Sequence, residues 1–305
     1  MLTLLLACVD YAVTRNEVDD TFLQPARERG VDILWVVDAS ASMYEEQAAL
    51  ETHAAGFTEV LGRSVVDFRV GVATTTPGAP GSLVGEVLGS DTPGLAEAFT
   101  DVVRAAASDP GDRTERGFDA ALAALDPTGQ GGFSNTTADA EVVFFTDEDD
   151  SSSVDAEAFV TRLRALRGDA TVRVNAIAGD LPDGCFSLAA AADAGARYIE
   201  AVEATGGARE SNCAQDLQGA LGRVALSALG LEDTFVLSDV PVPDSLEVRV
   251  SGAIIPSRPY DGWTYDAGLN AIRFDGLAVP PPGAGIEVSY FDWVGGVDTG
   301  SLASE

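Results

Sequence analysis

The chain has 305 residues, enough to bury a full core and to hold a smaller second domain beside a large one. It carries 49 acidic against 18 basic residues, every base is an arginine, and the formal net charge is −31. This balance argues against binding nucleic acid or an anionic membrane through a basic face. It favours affinity for divalent cations, and a salt-adapted genome would give a similar surface.

The amino terminus is apolar but too short to span a bilayer, which needs about 20 apolar residues. Residues 5–8, Leu-Leu-Ala-Cys, resemble the lipobox of bacterial lipoproteins, in which the cysteine receives the lipid. A basic region is missing and the apolar core is very short. We therefore interpret residues 1–8 as the remnant of a lipoprotein signal, with Cys8 as the lipidated residue. Residues 9–29 lack periodicity and are predicted to be a linker.

From residue 31 onward, short apolar runs alternate with helical patterns. Strands are predicted at 31–38, 68–76, 82–88, 141–147, 171–178 and 208–211, the third of them as an antiparallel edge. Helices are predicted at 44–62, 94–108, 115–125, 154–167, 188–204 and 215–229. Such alternation predicts an α/β fold with a doubly wound, mostly parallel six-stranded sheet.

The pattern changes after residue 230. Short alternating segments are separated by proline and glycine, at 234–238, 246–250, 263–265, 271–274 and 285–290. This pattern predicts a small C-terminal all-β module, an antiparallel domain over residues 231–292. Residues 293–305 are predicted to be a loose tail.

Polar side chains follow two of the buried strands. Asp38, Ser40 and Ser42 form an Asp-x-Ser-x-Ser sequence after the first strand, and Asp147 ends the strand at 141–147. Ligands of open parallel sheets bind at the carboxyl ends of the strands. The two aspartates could instead cap the helices that follow them. Capping explains either aspartate alone, but not both together with two alternate serines.

The arrangement resembles the metal-ion-dependent adhesion site of the von Willebrand factor A-type family, and the resemblance covers about residues 30–230. It assigns those residues to an A-type domain. The family's loop threonine is matched to Thr114, with Thr92 and Thr136 as nearby alternatives. The acidic run at 148–153 could supply a second, Ca²⁺-type site, but an acidic helix start is the favoured interpretation.

The resemblance implies a bound Mg²⁺, with Ca²⁺ or Mn²⁺ as alternatives. Ser40 and Ser42 would ligate directly, Thr114 and Asp147 directly or through water, and Asp38 would orient waters and the serines. These hydroxyl and carboxylate oxygens are ligands that Mg²⁺ prefers. The family uses the vertex left open on the ion to bind an Asp or Glu carboxylate of a protein partner.

The cysteines Cys185 and Cys213 are expected to form a disulfide, because the export signal places them in an oxidising compartment. Neither cysteine has a metal-type spacing, which argues against a zinc site. Catalysis is not expected. The single histidine, His53, lies in a predicted helix, and neither a phosphate loop nor a dinucleotide motif is present.

The preferred hypothesis is a non-enzymatic, metal-dependent binding or adhesion protein of the bacterial envelope. It would be anchored to the membrane by a lipid on Cys8 and would not bind nucleic acid. An alternative from another class is a structural or assembly component of an envelope complex, in which the metal only stabilises the fold. A subunit of a metal-chelatase-like machine is a third hypothesis, disfavoured by the apparent export signal.

Overall fold

A computed structural model of the chain describes residues 14–75, 81–107, 114–127, 133, 135, 137–187 and 190–294. The predicted signal remnant at 1–8, the lipidation site Cys8 and residues 295–305 of the predicted tail lie outside these ranges. Thr136, one of the alternatives to Thr114, also lies outside them.

The described residues contain fifteen strands and seven α-helices. The strands are β1 (Thr14–Leu23), β2 (Val31–Val37), β3 (Phe68–Thr74), β4 (Leu88–Gly89), β5 (Asp139–Phe145), β6 (Val172–Ala178), β7 (Cys185–Phe186), β8 (Ala191–Ala192), β9 (Arg209–Ser211), β10 (Thr234–Val236), β11 (Glu247–Val250), β12 (Ala253–Ile255), β13 (Trp263–Asp266), β14 (Ala271–Phe274) and β15 (Gly285–Val294). The helices are α1 (Tyr44–His53), α2 (Ala55–Arg63), α3 (Leu95–Ala107), α4 (Gly117–Leu125), α5 (Ala156–Arg167), α6 (Ala196–Thr205) and α7 (Leu217–Leu229). None of these helices is both long and apolar enough to cross a membrane.

The chain divides into two compact units. An α/β unit comprises residues 25–231, and a β unit combines residues 14–24 with residues 232–294. The α/β unit is therefore inserted into the β unit, and the chain passes between them twice.

The α/β unit is built on a six-stranded sheet with the order β4-β3-β2-β5-β6-β9. All neighbouring strands are parallel except β4, which pairs antiparallel with β3 at one edge. The fold is therefore mixed α/β with a mostly parallel sheet and one antiparallel edge strand, as the sequence predicts. The central strands β2 and β5 are buried along their whole length, which explains why apolar residues dominate both sequences.

Helices cover both faces of this sheet. On one face Trp35 of β2 packs edge-on against Phe57 of α2, with ring centroids 5.0 Å apart, and the same core includes residues of α1, α3 and α7. On the other face Phe144 of β5 packs against Phe118 of α4 and residues of α5 and α6. Aromatic pairs at these separations add to the stabilisation from area burial.

The β unit consists of two antiparallel sheets, ordered β1-β15-β11-β12 and β10-β14-β13. Side chains from both sheets form one buried cluster, which includes Phe235, Val248 and Ile286. The fully buried Gln24 side chain donates to the carbonyl oxygens of Glu232 and Pro280. These bonds join the amino-terminal part of the unit to its carboxy-terminal part.

The prediction of a linker at 9–29 is wrong for residues 14–23, which form β1 and pair with β15 along ten residues. Alternate side chains of β1, Val18 and Phe22, pack against the core of the β unit, so the strand is specified by tertiary pairing. The predicted boundaries 231–292 and 293–305 also shift, because β15 continues to Val294 and the unit includes residues 14–24.

Several element predictions differ at their ends. The predicted helix at 44–62 is divided at Ala54 into α1 and α2. Of the predicted strand at 82–88 only β4 forms a ladder, with one isolated bridge from Leu83 to Ala73. The helix predicted at 188–204 begins at Ala196, because residues 191–192 pair with β7 instead.

Cys185 and Cys213 form a disulfide, which confirms the predicted pair. Cys185 begins β7, and Cys213 follows β9, the last strand of the six-stranded sheet. The bond closes a loop with a sequence separation of 28 residues. It ties the β7–β8 hairpin to the carboxyl edge of the sheet.

We expect the double variant Cys185→Ser/Cys213→Ser to lower the free energy of unfolding by about 3–4 kcal/mol, because the unfolded chain gains loop entropy. Urea denaturation monitored by circular dichroism measures this difference. A reducing agent should destabilise the wild type and leave the double variant unchanged. An equal midpoint for the two proteins under oxidising conditions would contradict the prediction.

Candidate metal centre

Asp38 lies at the carboxyl end of the central strand β2 and is completely buried. Its backbone N–H donates to the carbonyl oxygen of Phe145 on β5 at 2.9 Å, so the strand register brings the two strand ends together. Its carboxylate accepts hydrogen bonds from the Ser40 N–H at 2.8 Å and from the Thr146 hydroxyl at 2.7 Å. The Gln47 amide donates to the Asp38 carbonyl oxygen at 2.6 Å. Hydrogen bonds therefore fix both the carboxylate and the backbone of Asp38.

The two serines follow in a tight turn. Ser40 is the residue before a 3₁₀ turn at Ala41–Met43, and its backbone is extended there. The hydroxyl oxygens of Ser40 and Ser42 are 2.9 Å apart. Ser40 is largely buried and Ser42 is exposed, so the pair spans from the protein interior to its surface.

Asp147 lies beyond the end of β5 and is 6% exposed. Burial and the neighbouring carboxylate of Asp38 raise the pKa of Asp147 to about 7, and a hydrogen bond from Ser42 opposes the rise. Its Oδ1 atom is buried without a hydrogen-bond partner among the described residues. The structure thus brings Asp38, Ser40, Ser42 and Asp147 together at the carboxyl edge of the sheet.

Thr114 is half-buried and directly precedes Glu115, whose carboxyl group lies against that of Asp38. The loop that holds Thr114 therefore reaches the edge of the sheet where the other four residues lie. The Thr92 hydroxyl oxygen instead accepts a hydrogen bond from the Gly89 N–H of β4 at 2.8 Å and closes a local turn there.

Glu115 is the residue that sequence reasoning missed. Its Oε2 atom accepts a hydrogen bond from the Thr75 hydroxyl, and its Oε1 atom has no partner among the described residues. Burial and the Asp38 carboxylate raise the pKa of Glu115 to about 8. The sequence places Glu115 at a predicted helix start, but α4 begins only at Gly117. Its position beside Thr114 is the signal that could have identified it.

Two threonines at strand ends were also missed. Thr75 follows β3, and Thr146 follows β5, so both lie at the same sheet edge as Asp38. Thr75 N–H donates to the Val37 carbonyl oxygen at 3.2 Å, which aligns the two strand ends. The parallel register of β2, β3 and β5 could have predicted both residues.

Carboxylates at the opposite ends of the same strands are paired with arginines. Asp32, near the start of β2, forms ion pairs with Arg69 at 2.7 Å and Arg167 at 3.2 Å. Glu141, near the start of β5, pairs with Arg27. At the carboxyl edge, none of the ion pairs between described residues involves Asp38, Glu115 or Asp147. In the described part of the chain these three carboxyl groups are therefore not balanced by an arginine.

The residues fit a hard divalent cation. The donor set is carboxylate and hydroxyl oxygen, and two of the buried carboxylate oxygens lack hydrogen bonds. Within the described ranges no group of three or more histidine, cysteine, aspartate or glutamate side chains is arranged to hold a metal ion. A site here therefore depends on the serine hydroxyls as well as the carboxylates.

The acidic run after Asp147 serves structural roles. Asp150 accepts a hydrogen bond from the Phe118 N–H at 3.0 Å and pairs with Arg197 at 3.2 Å. Asp155 caps α5 by accepting from the Ala158 N–H at 2.8 Å. The residue that caps α5 is therefore Asp155, which lies after the run 148–153, and Asp150 instead fixes the start of α4.

No known protein-family profile matches the sequence, and neither does any curated protein. Solved structures similar to the chain include the pilus adhesin SpaC from Lactobacillus rhamnosus GG, at 12% identity and a TM-score of 0.45. The chain is also similar to proximal thread matrix protein 1 from the mussel byssus, at 13% identity and 0.44. A von Willebrand factor type A protein from Catenulispora acidiphila matches at 13% identity and 0.41.

The matches cover 95%, 72% and 92% of this chain, respectively. They span 43% of the adhesin, 51% of the mussel protein and 66% of the Catenulispora protein, less than two thirds of each. Likenesses of this size do not establish a family.

Without metal, the melting temperature should fall as the pH rises from about 5 to about 8. The folded-state pKa values of Asp147 and Glu115, about 7 and about 8, lie above their ordinary values of 3.8 and 4.5. The folded protein therefore binds protons more tightly, and the stability present at low pH is lost as these groups ionise. Differential scanning calorimetry in EDTA measures the fall.

The variant Glu115→Gln should show a shallower fall over the same pH range, because it retains only the Asp147 contribution of the two. A melting temperature that stays constant or rises with pH in the wild type would refute this account of the site.

Proposed function

We propose that the chain is a non-enzymatic, divalent-metal-dependent binding protein built on a von Willebrand A-type domain. The observation that carries this proposal is the cluster of Asp38, Ser40, Ser42 and Asp147 at the carboxyl edge of the sheet. No ion pair between described residues joins Asp38 or Asp147 to an arginine. Such an edge is where open α/β sheets bind ligands.

Ser40, Ser42 and Asp147 would hold Mg²⁺, with Thr114 completing the set directly or through water. Asp38 would act mainly by orienting the Ser40 backbone and the waters, since Ser40 N–H and Thr146 already occupy both of its oxygens. Bound there, the ion supplies an electrophilic centre for a carboxylate ligand. Ca²⁺ or Mn²⁺ would satisfy the same oxygen donors.

The partner class that fits is a protein surface presenting one Asp or Glu carboxylate. The exposed Ser42 places one potential ligand at the surface, so an incoming side chain can reach the site. The surrounding acidic groups Glu148 and Asp193 disfavour a strongly acidic partner. The high negative charge likewise disfavours nucleic acid.

We place the protein in the bacterial envelope, anchored by a lipid on Cys8. The support is the lipobox-like sequence at residues 5–8 together with the Cys185–Cys213 disulfide, which is typical of an oxidising compartment. The alternative of a structural or assembly component rests on the same fold, with the metal serving stability alone.

Removal of one ligand hydroxyl should weaken metal binding. Ser42→Ala should lower the Mg²⁺ affinity at least about tenfold, because an exposed serine can be truncated without disturbing the core. Isothermal titration calorimetry measures the affinity. Ser90→Ala, an exposed serine beside Asp67 at the other end of the sheet, is the matched control and should bind as the wild type does. Equal affinity for all three proteins would exclude Ser42 as a ligand.

Partner capture separates adhesion from assembly. Immobilised wild-type protein should retain a membrane-fraction protein in Mg²⁺ and release it in EDTA, whereas Asp38→Ala and Ser42→Ala should not retain it. The melting temperature of Ser42→Ala in EDTA should equal that of the wild type, which shows that loss of capture is not unfolding. Capture that is independent of Mg²⁺ and unchanged in both variants would favour the assembly alternative.

A further inference from the structure

Two aromatic side chains of the α/β unit are exposed to solvent. Phe186 is 83% exposed and Tyr44 is 77% exposed. Every other Phe, Tyr and Trp side chain of this unit is at most 2% exposed. A single exposed apolar residue is ordinary on a protein surface, but this unit buries all its remaining aromatic rings. Packing within the unit therefore does not account for these two.

Both rings lie at the carboxyl edge of the sheet, where the candidate metal centre is. Ser42 belongs to the 3₁₀ turn, and Tyr44 is the first residue of α1 directly after that turn. Phe186 lies opposite Ala191 in the β7–β8 ladder, and both side chains are on its exposed face. The Ala191 N–H donates to the Glu46 carboxylate in the first turn of α1 at 3.3 Å. The hairpin that carries Phe186 therefore lies against the helix that begins with Tyr44.

The β7–β8 hairpin is also fixed to the strand ends. The Asp193 N–H, just after β8, donates to the carbonyl oxygen of Asp147 at 2.8 Å. On the inner face of the hairpin, Cys185 is joined by its disulfide to Cys213 after β9. The backbone of Phe186 is thus held in place before any partner binds. An aromatic side chain on such a support has few torsions left to order, which lowers the entropic cost of binding.

The charge around the two rings restricts the occupant of this surface. Glu45 and Asp193 are exposed, and Glu148 is half-buried. A partner with neutral or basic side chains beside its carboxylate complements these acids. A second copy of this chain is a poor occupant, because each copy carries a formal net charge of −31. An anionic membrane is disfavoured for the same reason.

We propose that Phe186 and Tyr44 form an apolar contact surface beside the metal centre, and that they select a protein partner in which a large apolar side chain adjoins the carboxylate. Basic side chains of that partner would face the acids around the rings. This proposal rests on the proposed function: the ion would hold the carboxylate, and the two rings would supply the specificity. Aromatic side chains that become buried at an interface commonly carry much of its binding energy.

The test is selection from a random library of short, disulfide-closed peptides displayed on phage. The library is bound in Mg²⁺ to immobilised wild type, Phe186→Ser and Val65→Ser, and the bound phage are eluted with EDTA. Val65 is 82% exposed and precedes β3, at the opposite end of the sheet. Val65→Ser is therefore the matched control for loss of an exposed apolar side chain.

Peptides from the wild type and Val65→Ser should carry an Asp or Glu with a large apolar residue beside it, at least about threefold more often than the starting library. Phe186→Ser should keep the enrichment of the acid and lose that of the apolar neighbour. Equal apolar enrichment on Phe186→Ser would overturn the proposal and leave the proposed function intact. Absence of acid enrichment on the wild type would overturn both.

A synthetic copy of the peptide that the wild type selects most often then measures the contribution of each ring. In isothermal titration calorimetry with Mg²⁺ present, it should bind Phe186→Ser at least about tenfold and Tyr44→Ser at least about threefold more weakly, and Val65→Ser as it binds the wild type. Mg²⁺ alone should bind all four proteins alike, because neither aromatic residue is a proposed ligand. Unchanged peptide affinity in both aromatic variants would refute the proposed surface.

Sedimentation with phosphatidylcholine vesicles tests a lipid surface as the occupant. The wild type should remain in the supernatant. Sedimentation of the wild type that is lost in Phe186→Ser would overturn the proposal in favour of membrane contact.

Discussion

The structure depends on the burial of a carboxylate, Asp38, at the end of its central strand. A charge in that position must be solvated by the protein, and the nearest groups are arranged to do so. The Ser40 N–H and the Thr146 hydroxyl each satisfy one oxygen, and Gln47 fixes the backbone beneath. Two further acids, Asp147 and Glu115, nevertheless approach it. Their raised pKa values record the cost of collecting negative charge where water is excluded.

Buried acids have different partners at the two ends of the central strands. At the amino ends of β2 and β5, Asp32 and Glu141 each have at least one arginine as an ion-pair partner. At the carboxyl ends of the same strands the acids meet hydroxyls and one another. Among the described residues, Asp38, Glu115 and Asp147 at that edge form no ion pair with an arginine, although the neighbouring Asp150 pairs with Arg197; this contrast supports the proposed cation site.

Most of the sheet could be predicted because buried parallel strands consist mainly of apolar residues, as β2 and β5 do. The residues Asp38, Ser40, Ser42 and Asp147 were accessible for a related reason: they follow those runs directly. Glu115 could not be identified in this way, because a loop brings it to Asp38 and the sequence pattern does not predict the conformation of that loop.

The amino-terminal strand shows the same limit. Residues 14–23 are mostly polar and lack a strong alternating pattern, and they become a strand through pairing with β15. Local sequence favours no structure there, so tertiary contact decides the outcome. The division of the predicted helix at Ala54 and the late start of α6 are likewise effects of packing on segments with acceptable helical sequence.

The ten-residue ladder between β1 and β15 has a practical consequence for anyone who trims this protein. Cutting the chain at residue 30, the apparent start of the folded part, would strip β15 of one neighbour along its whole length. The exposed row of amide and carbonyl groups would then be a template for pairing between copies. Aggregation of such a truncated protein would result from the missing strand and would not be evidence that the intact chain is insoluble.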